Sequence, residues 1–383
     1  MKKIIRTATV SISLDVLLKG QLTFLKEYYE VVAVSGQDAH LDNVACREGV
    51  RTIPLSIQRQ ISPFKDFISL LKLYKVLRKE KPLIVHSITP KAGLLTMIAG
   101  FFAGVPIRIH TFTGLVFPYK NGFLHHLLLF LDKVLCRFAT HIIPEGEGVK
   151  KDLLAFKVTK KPLKVIANGN VNGIDIDFFN PNEVSLVELE NLKQQLHIIS
   201  TDFVFVFVGR LVSDKGINEL VAAFTNLSKH NSNCKLLLVG PFESELDPLN
   251  RETLNLISSN KSIISIGFQD DVRTYLALSN VFVFPSHREG FPNVVLQAGA
   301  MNLPCIVTDI CGSNEIIIPN ETGIIIPVKN EIAIFEAMQL LFHDKDLFQK
   351  LQSKSRFNIV SRFQQELVWN TLLQEYKRLE NNV

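Results

Sequence analysis

The chain has 383 residues, 47% apolar and 21% charged, which suits two domains of about 150 residues each and excludes disordered, collagen-like and mucin-like proteins. Its cysteines, Cys46, Cys136, Cys234, Cys305 and Cys311, are odd in number and form no CxxC pair, which argues for a reducing compartment and against a disulfide scaffold or structural zinc. The net charge of +5 hides an asymmetry: residues 1–170 carry 25 Lys and Arg against 12 Asp and Glu, and residues 171–383 carry 17 against 25. The halves are thus +13 and −8, which points to an anionic partner for the first or to mutual attraction of the two.

The opening segment has a basic tip, but Thr, Ser and Asp15 interrupt its apolar run, so it reads as a buried strand and not a signal peptide. Strands are predicted near Ile4–Ile12, Glu30–Val34, Leu83–His86, Ile107–His110, His141–Ile143 and Lys164–Ala167. Helices fill the gaps over Pro63–Lys79, Lys91–Ala103 and Gly122–Phe138. The second half repeats the rhythm with Phe203–Val208, Lys235–Val239, Ser262–Ile266, Val281–Pro285, Pro304–Thr308 and Gly323–Pro327. Strands alternating with helices predict α/β domains with doubly wound parallel sheets. The join falls in the turn-rich Asn168–Pro181, giving domains 1–170 and 171–363. A closing helix near 364–383, with Trp369 and Tyr376, is expected to cross back to the first domain. The uncharged run Gly290–Thr308 contains Pro292, Asn293, Gln297, Asn302 and Pro304, too polar to span a bilayer.

Two stretches carry chemistry. In Phe203–Gly216 a buried strand ends at Gly209, followed by Arg210 and, five residues later, Lys215. A planar fork of donors with a mobile point charge suits a diphosphate, although two surface cations at a helix entry would look the same. In Val281–Pro304 a strand again ends in a turn, and a helix starts near Asn293. Gly290 permits close backbone approach, and the amides of Phe291, Asn293 and Val294 lie at a helix amino terminus, where anions are favoured. Glu289 suits sugar hydroxyls better than phosphate, and Gln297 follows eight residues later.

Together these stretches resemble the retaining nucleotide-sugar glycosyltransferases of family 4, with the GT-B fold: two Rossmann-like domains facing across a cleft. The similarity extends to HTFTGLVFP at His110–Pro118, VNGIDIDFF at Val171–Phe179 and the final helix. It is nearest to bacterial transferases that build lipid-linked glycans, capsule or O-antigen, such as N-acetylgalactosaminyltransferases. The resemblance implies that Arg210 and Lys215 grip the donor diphosphate, and that Glu289 with Gly290–Asn293 holds the donor sugar and phosphates. Gln297 stands where the family usually has a second Glu for the ribose hydroxyls. Gly209 and the backbone at Ile266–Phe268 would line the donor site, with Phe268 beside the base. Gly20 would let the first domain approach the donor phosphate, and His110 would end a strand near the donor sugar. His86 and Lys91 are weaker candidates, and the pair His125–His126 reads as a helix face.

The expected donor is a UDP-linked N-acetylhexosamine, the acceptor a lipid-linked or polysaccharide chain. No separate cofactor is expected, and no Asp-x-Asp motif or metal-ligand spacing occurs. Arg59–Lys81 mixes Ile61, Phe64, Phe67, Ile68 and Leu71 with cations, as would an interfacial helix on an anionic membrane or an ordinary helix on its own sheet. A cytoplasmic protein at the inner face of the plasma membrane is the corresponding expectation. A non-catalytic two-domain binding protein and a GT-B sugar-nucleotide epimerase remain alternatives. No aromatic-basic motif favours nucleic acid.

Overall fold

Continuous runs of Val, Ile, Leu and Phe bounded by turns set the strands, because a strand covered on both faces needs no polar side. A computed structural model describes every residue except 59, 244, 246 and 383, so the cation expected at Arg59 lies outside the described residues. The first sheet comprises β1 (Lys3–Thr7), β2 (Glu30–Ser35), β3 (Arg51–Pro54), β4 (Ile84–Ser87), β5 (Ile107–Phe112) and β6 (His141–Pro144). The second comprises β7 (Phe203–Val208), β8 (Cys234–Val239), β9 (Ile263–Gly267), β10 (Val281–Phe284), β11 (Cys305–Thr308) and β12 (Gly323–Ile326).

The strand orders are β3-β2-β1-β4-β5-β6 and β12-β11-β10-β7-β8-β9, the same doubly wound order read from opposite edges, and the pairings between these strands are parallel. The order reverses between β1 and β4 in one sheet and between β7 and β10 in the other. The carboxyl ends of these strands are where an open α/β sheet leaves room for a ligand.

The chain divides into two units: Met1–Gly173 with Gln365–Val383, and Ile174–Gln364. The first carries 27 Lys and Arg against 15 Asp and Glu, the second 15 against 22. The closing helix Gln365–Glu380 belongs to the first unit and buries Val368, Leu372, Tyr376 and Leu379. Its Tyr376 hydroxyl lies 2.6 Å from His86 Nδ1 and accepts from Arg6 Nη1 at 3.2 Å. Trp369 Nε1 donates to Asn172 Oδ1 at 2.7 Å.

Three sequence-based expectations need correction. The first strand stops at Thr7, because a helix begins at Ser11. Lys164–Ala167 forms no strand: Ala167 sits at φ +50°, which breaks an extended run. The strand Arg51–Pro54 was not foreseen, since an edge strand that is only half buried has no continuous apolar run.

Candidate donor site

The donor-site candidates converge at the reversal point of the second sheet. Strands β7, β8 and β9 each finish at a glycine: Gly209, Gly240 and Gly267, all at positive φ. The Gly240 amide donates to Gly267 O at 2.8 Å, and that of Gly209 to Val239 O at 2.9 Å. A Cβ on Gly240 would stand 1.9 Å from Gly209 O, so only glycine permits this approach. The three strand ends thus meet through backbone atoms, with Gly240 buried between the other two. Phe268, directly after Gly267, is 67% exposed.

Arg210 follows Gly209 and is exposed; its guanidinium pairs with Glu243 on the next loop. The chain then makes a 3-10 turn, Ser213–Lys215, closed by Gly216 at φ +71°. A Cβ there would meet Pro285 O at 2.1 Å, so glycine lets this turn seat against the end of β10. That seating brings Lys215 to the loop after β10, where its ammonium pairs with Glu289 and lies 5.5 Å from the centre of the Phe284 ring. Both side chains are half-buried, and Ser286 Oγ donates to Glu289 Oε1 at 2.9 Å. The loops are stitched further by His287 N donating to Asp214 O at 2.9 Å and by an Arg288–Asp214 ion pair at 2.6 Å.

The helix Asn293–Ala300 begins after Pro292 with no side-chain cap, leaving its positive end to the loop that carries Gly290. Gly312 at φ +76° packs on that loop, and a Cβ there would meet Gly290 O at 2.5 Å. The Phe291 ring is buried 5.7 Å from Phe363, so it anchors the loop, and only its backbone is available to a ligand. Val294 and Gln297 are half-buried on the helix. The second unit therefore gathers Gly209, Arg210, Lys215, Glu289, Gly290, Asn293 and Gln297 around one sheet edge. Ser286 and Glu243 were not singled out from sequence. A hydroxyl three residues before an acid is too common a pattern to mark a contact, and Glu243 is 33 residues from its partner.

The remaining candidates belong to the first unit. Gly20 does not follow the first strand, since the helix Ser11–Leu17 intervenes. Its amide donates to Glu48 Oε1 at 3.0 Å, and a Cβ would stand 2.7 Å from the Trp369 ring. Its smallness serves the closing helix, and its amide is engaged. His110 does not end a strand at an open edge: β5 continues to Phe112, and His110 is 1% exposed. Its Nδ1 is 2.7 Å from Ser87 Oγ, Nε2 is buried without a partner, and Gly93 leaves room for the ring. Burial lowers its pKa to about 3, so it is neutral. His86 is likewise buried, 2.7 Å from Thr111 Oγ1. Lys91 pairs with Asp66 at 2.6 Å. His125 faces Phe117 O at 2.9 Å, and His126 is exposed. Among the described residues no three His, Cys, Asp or Glu are grouped to hold a metal ion, and no helix is long and apolar enough to cross a membrane.

Comparison with known proteins accords with this architecture. Residues 26–169 match the glycosyl transferase 4-like domain, and residues 189–357 match the glycosyl transferases group 1. The capsular polysaccharide biosynthesis glycosyltransferase CapM of Staphylococcus aureus is 33% identical over 98% of this chain and 97% of its own. The UDP-Gal:alpha-D-GlcNAc-diphosphoundecaprenol alpha-1,3-galactosyltransferase of Escherichia coli is 31% identical over 79% of both. Among solved structures, a glycosyltransferase from Rickettsia africae superposes with a TM-score of 0.81 at 21% identity, over 100% of this chain and 99% of that one. HepE of Anabaena in complex with UDP and glucose gives 0.82 at 17% identity, over 99% and 100%. The chain belongs to the family 4 glycosyltransferases and has the GT-B fold.

Proposed function

We propose that this glycosyltransferase moves a sugar from a nucleotide-diphosphate donor, a UDP-linked N-acetylhexosamine, to a lipid-linked or polysaccharide acceptor in bacterial surface-glycan synthesis. The second unit binds the donor, the first the acceptor, and the anomeric configuration is retained. The observation that carries this reading is the convergence of Lys215, Glu289 and Ser286 at the sheet reversal, beside Arg210 and an uncapped helix start. The names of relatives acting on diphosphoundecaprenol-linked sugars support the acceptor class.

Breaking the anomeric bond puts negative charge on the leaving phosphate. On this reading Arg210 and Lys215 meet that charge as it grows, which lowers the barrier more than it strengthens ground-state binding. Each is paired with a carboxylate, and on this reading a donor diphosphate exchanges with Glu243 and Glu289. Glu289, released from Lys215, accepts from donor-sugar hydroxyls, and Gln297 accepts from the ribose. The departing phosphate oxygen takes the acceptor proton as the new glycosidic bond forms, so neither a separate base nor a metal is required. His110, neutral and buried, is proposed to stand near the donor sugar as a positioning group and not as an acid or base. The basic first unit, with exposed Phe64 and Phe67 beside exposed Lys65, Lys72 and Lys75, supports peripheral attachment to an anionic inner membrane face.

A thermal-shift screen of UDP-, GDP-, ADP- and dTDP-sugars tests the donor assignment. UDP-N-acetylhexosamines are expected to raise the midpoint most, with the shift lost in Lys215→Ala. An equal shift in that variant, or a preference for another base, overturns it.

A further inference from the structure

On the carboxyl side of the first sheet, where β1 and β4 part, lies a cavity of about 410 Å³. Its wall is mostly apolar, with Val10, Leu94, Leu128 and Leu131 among its residues. The polar groups that reach it are largely spent on one another. Lys91 pairs with Asp66 at 2.6 Å, Thr9 and Thr89 share a hydroxyl contact of 2.9 Å, and Thr9 Oγ1 also accepts from the Ala92 amide at 3.1 Å. A saccharide would bury hydroxyls here with few partners, at a cost of about 1–3 kcal/mol each. A hydrocarbon chain needs none.

The elements that wall the cavity also carry bare apolar side chains. Helix Pro63–Glu80 gives Asp66 to the wall and leaves Phe64 77% and Phe67 58% exposed. Helix Gly122–Phe138 gives Leu128 and Leu131 and leaves Phe123 81% exposed. Lys65, Lys72 and Lys75 are exposed on the first of these helices. Large aromatics and lysines on the same exposed helices fit a lipid surface with anionic headgroups.

We infer that this cavity seats the hydrocarbon chain of an anionic lipid, drawn from the membrane past the exposed Phe64, Phe67 and Phe123. On the function proposed above, that lipid is the carrier of the acceptor saccharide; the cavity's preference for a chain does not depend on that identity.

Asp132 gives the site a second property. It lines the cavity, and no described side chain hydrogen-bonds or ion-pairs with it; burial raises its pKa to about 7. The ionisable groups about it are the Asp66–Lys91 pair on the same cavity, Cys136 on its own helix and Lys161 beyond Cys136. A bound chain removes more water from the carboxyl and favours its neutral form. Chain binding therefore takes up a proton and weakens as the pH rises through 7.

The test uses calorimetric titration of the full chain with farnesyl phosphate, geranyl phosphate and inorganic phosphate, below the concentrations at which the lipids form micelles. Farnesyl phosphate is expected to bind at least tenfold more tightly than geranyl phosphate, since each newly buried methylene contributes roughly fourfold, and inorganic phosphate to bind negligibly. Leu128→Trp, which fills the cavity, is expected to remove the chain-length dependence while circular dichroism stays unchanged. Asp132→Asn, a milder change should the first variant not fold, is expected to flatten the fall in farnesyl phosphate affinity between pH 6 and 8. Equal affinity for the two chains, or a wild-type chain-length dependence in folded Leu128→Trp, overturns the inference; so does a pH profile that Asp132→Asn leaves unaltered. No donor is present, so chain binding without sugar transfer in a parallel assay overturns the proposed function and not the cavity assignment. Sugar transfer without chain-length dependence does the reverse.

Discussion

The ammonium of Lys215 and the carboxylate of Glu289 form an ion pair across 74 residues of sequence, joining the loops that follow β7 and β10. Those strands are adjacent at the reversal of the second sheet. The pair thus ties together two loops that are far apart in sequence.

Removing either cation is expected to slow turnover more than it lowers stability. Lys215→Ala and Arg210→Ala should each reduce kcat by roughly 10²-fold while the urea midpoint of unit 2 moves little. Steady-state rates alongside denaturation curves check this, and near-normal kcat in both variants removes the assignment.

On the proposed function, Glu243 competes with the donor for Arg210. The Arg210 side chain is 56% exposed, so this ion pair contributes at most about 1 kcal/mol to stability. Glu243→Gln is expected to leave the melting temperature unchanged and to tighten UDP binding severalfold. Weaker UDP binding in this variant would assign Glu243 to the ligand instead.

Gly216→Ala is expected to damage the site through the backbone. The new Cβ would clash with Pro285 O, and φ of +71° is itself strained for alanine. A loss of about 1–3 kcal/mol should come with a fall in kcat, because the turn that carries Lys215 can no longer seat against β10. Gly36→Ala, where a Cβ meets nothing within 4 Å, is the control.

Acid should weaken the first unit before its ordinary carboxylates titrate. His86 and His110 are buried, with pKa values pushed down by burial, that of His110 to about 3. The unfolded chain therefore binds protons near pH 6.5 that the folded chain refuses, and stability is lost as the pH falls below that value. Asp132, raised to about 7 by burial, acts in the opposite direction, since its folded form holds a proton that the unfolded form releases above about 4. Two histidines outweigh one carboxyl, so stability should fall by roughly 1 kcal/mol per pH unit between 6.5 and 4.5. Urea titrations at pH 7, 6 and 5 measure the slope, and His110→Asn should reduce it.

The sheets were legible because their strands are buried on both faces: FVFVFV at Phe203–Val208 can hardly be anything else. The helix Gly122–Phe138 was legible to the residue. Lys215 and Glu289 could be read because each follows such a strand into a glycine-bearing turn. His110 was expected to end its strand, and β5 runs two residues further, to Phe112. Both faces of β5 are covered, so a histidine inside the strand is buried whichever face it points to. The cavity of the first unit was not legible at all, since residues from Thr9 to Asp132 meet only after folding. Gly20 was read as room for the donor phosphate, and the Trp369 ring packed against it was not legible.

The closing helix makes the order of synthesis matter. Tyr376 hydrogen-bonds with His86 and Arg6, and Trp369 covers Gly20, yet the whole of Ile174–Gln364 must be translated before they appear. At 5–20 residues per second that is a wait of about 10–40 s. During it the nascent first unit lacks the phenol beside Arg6 and the apolar face of its closing helix, while the second unit is continuous in sequence. The amino-terminal unit is begun first and finished last, so it is the part of the nascent chain that most needs a chaperone.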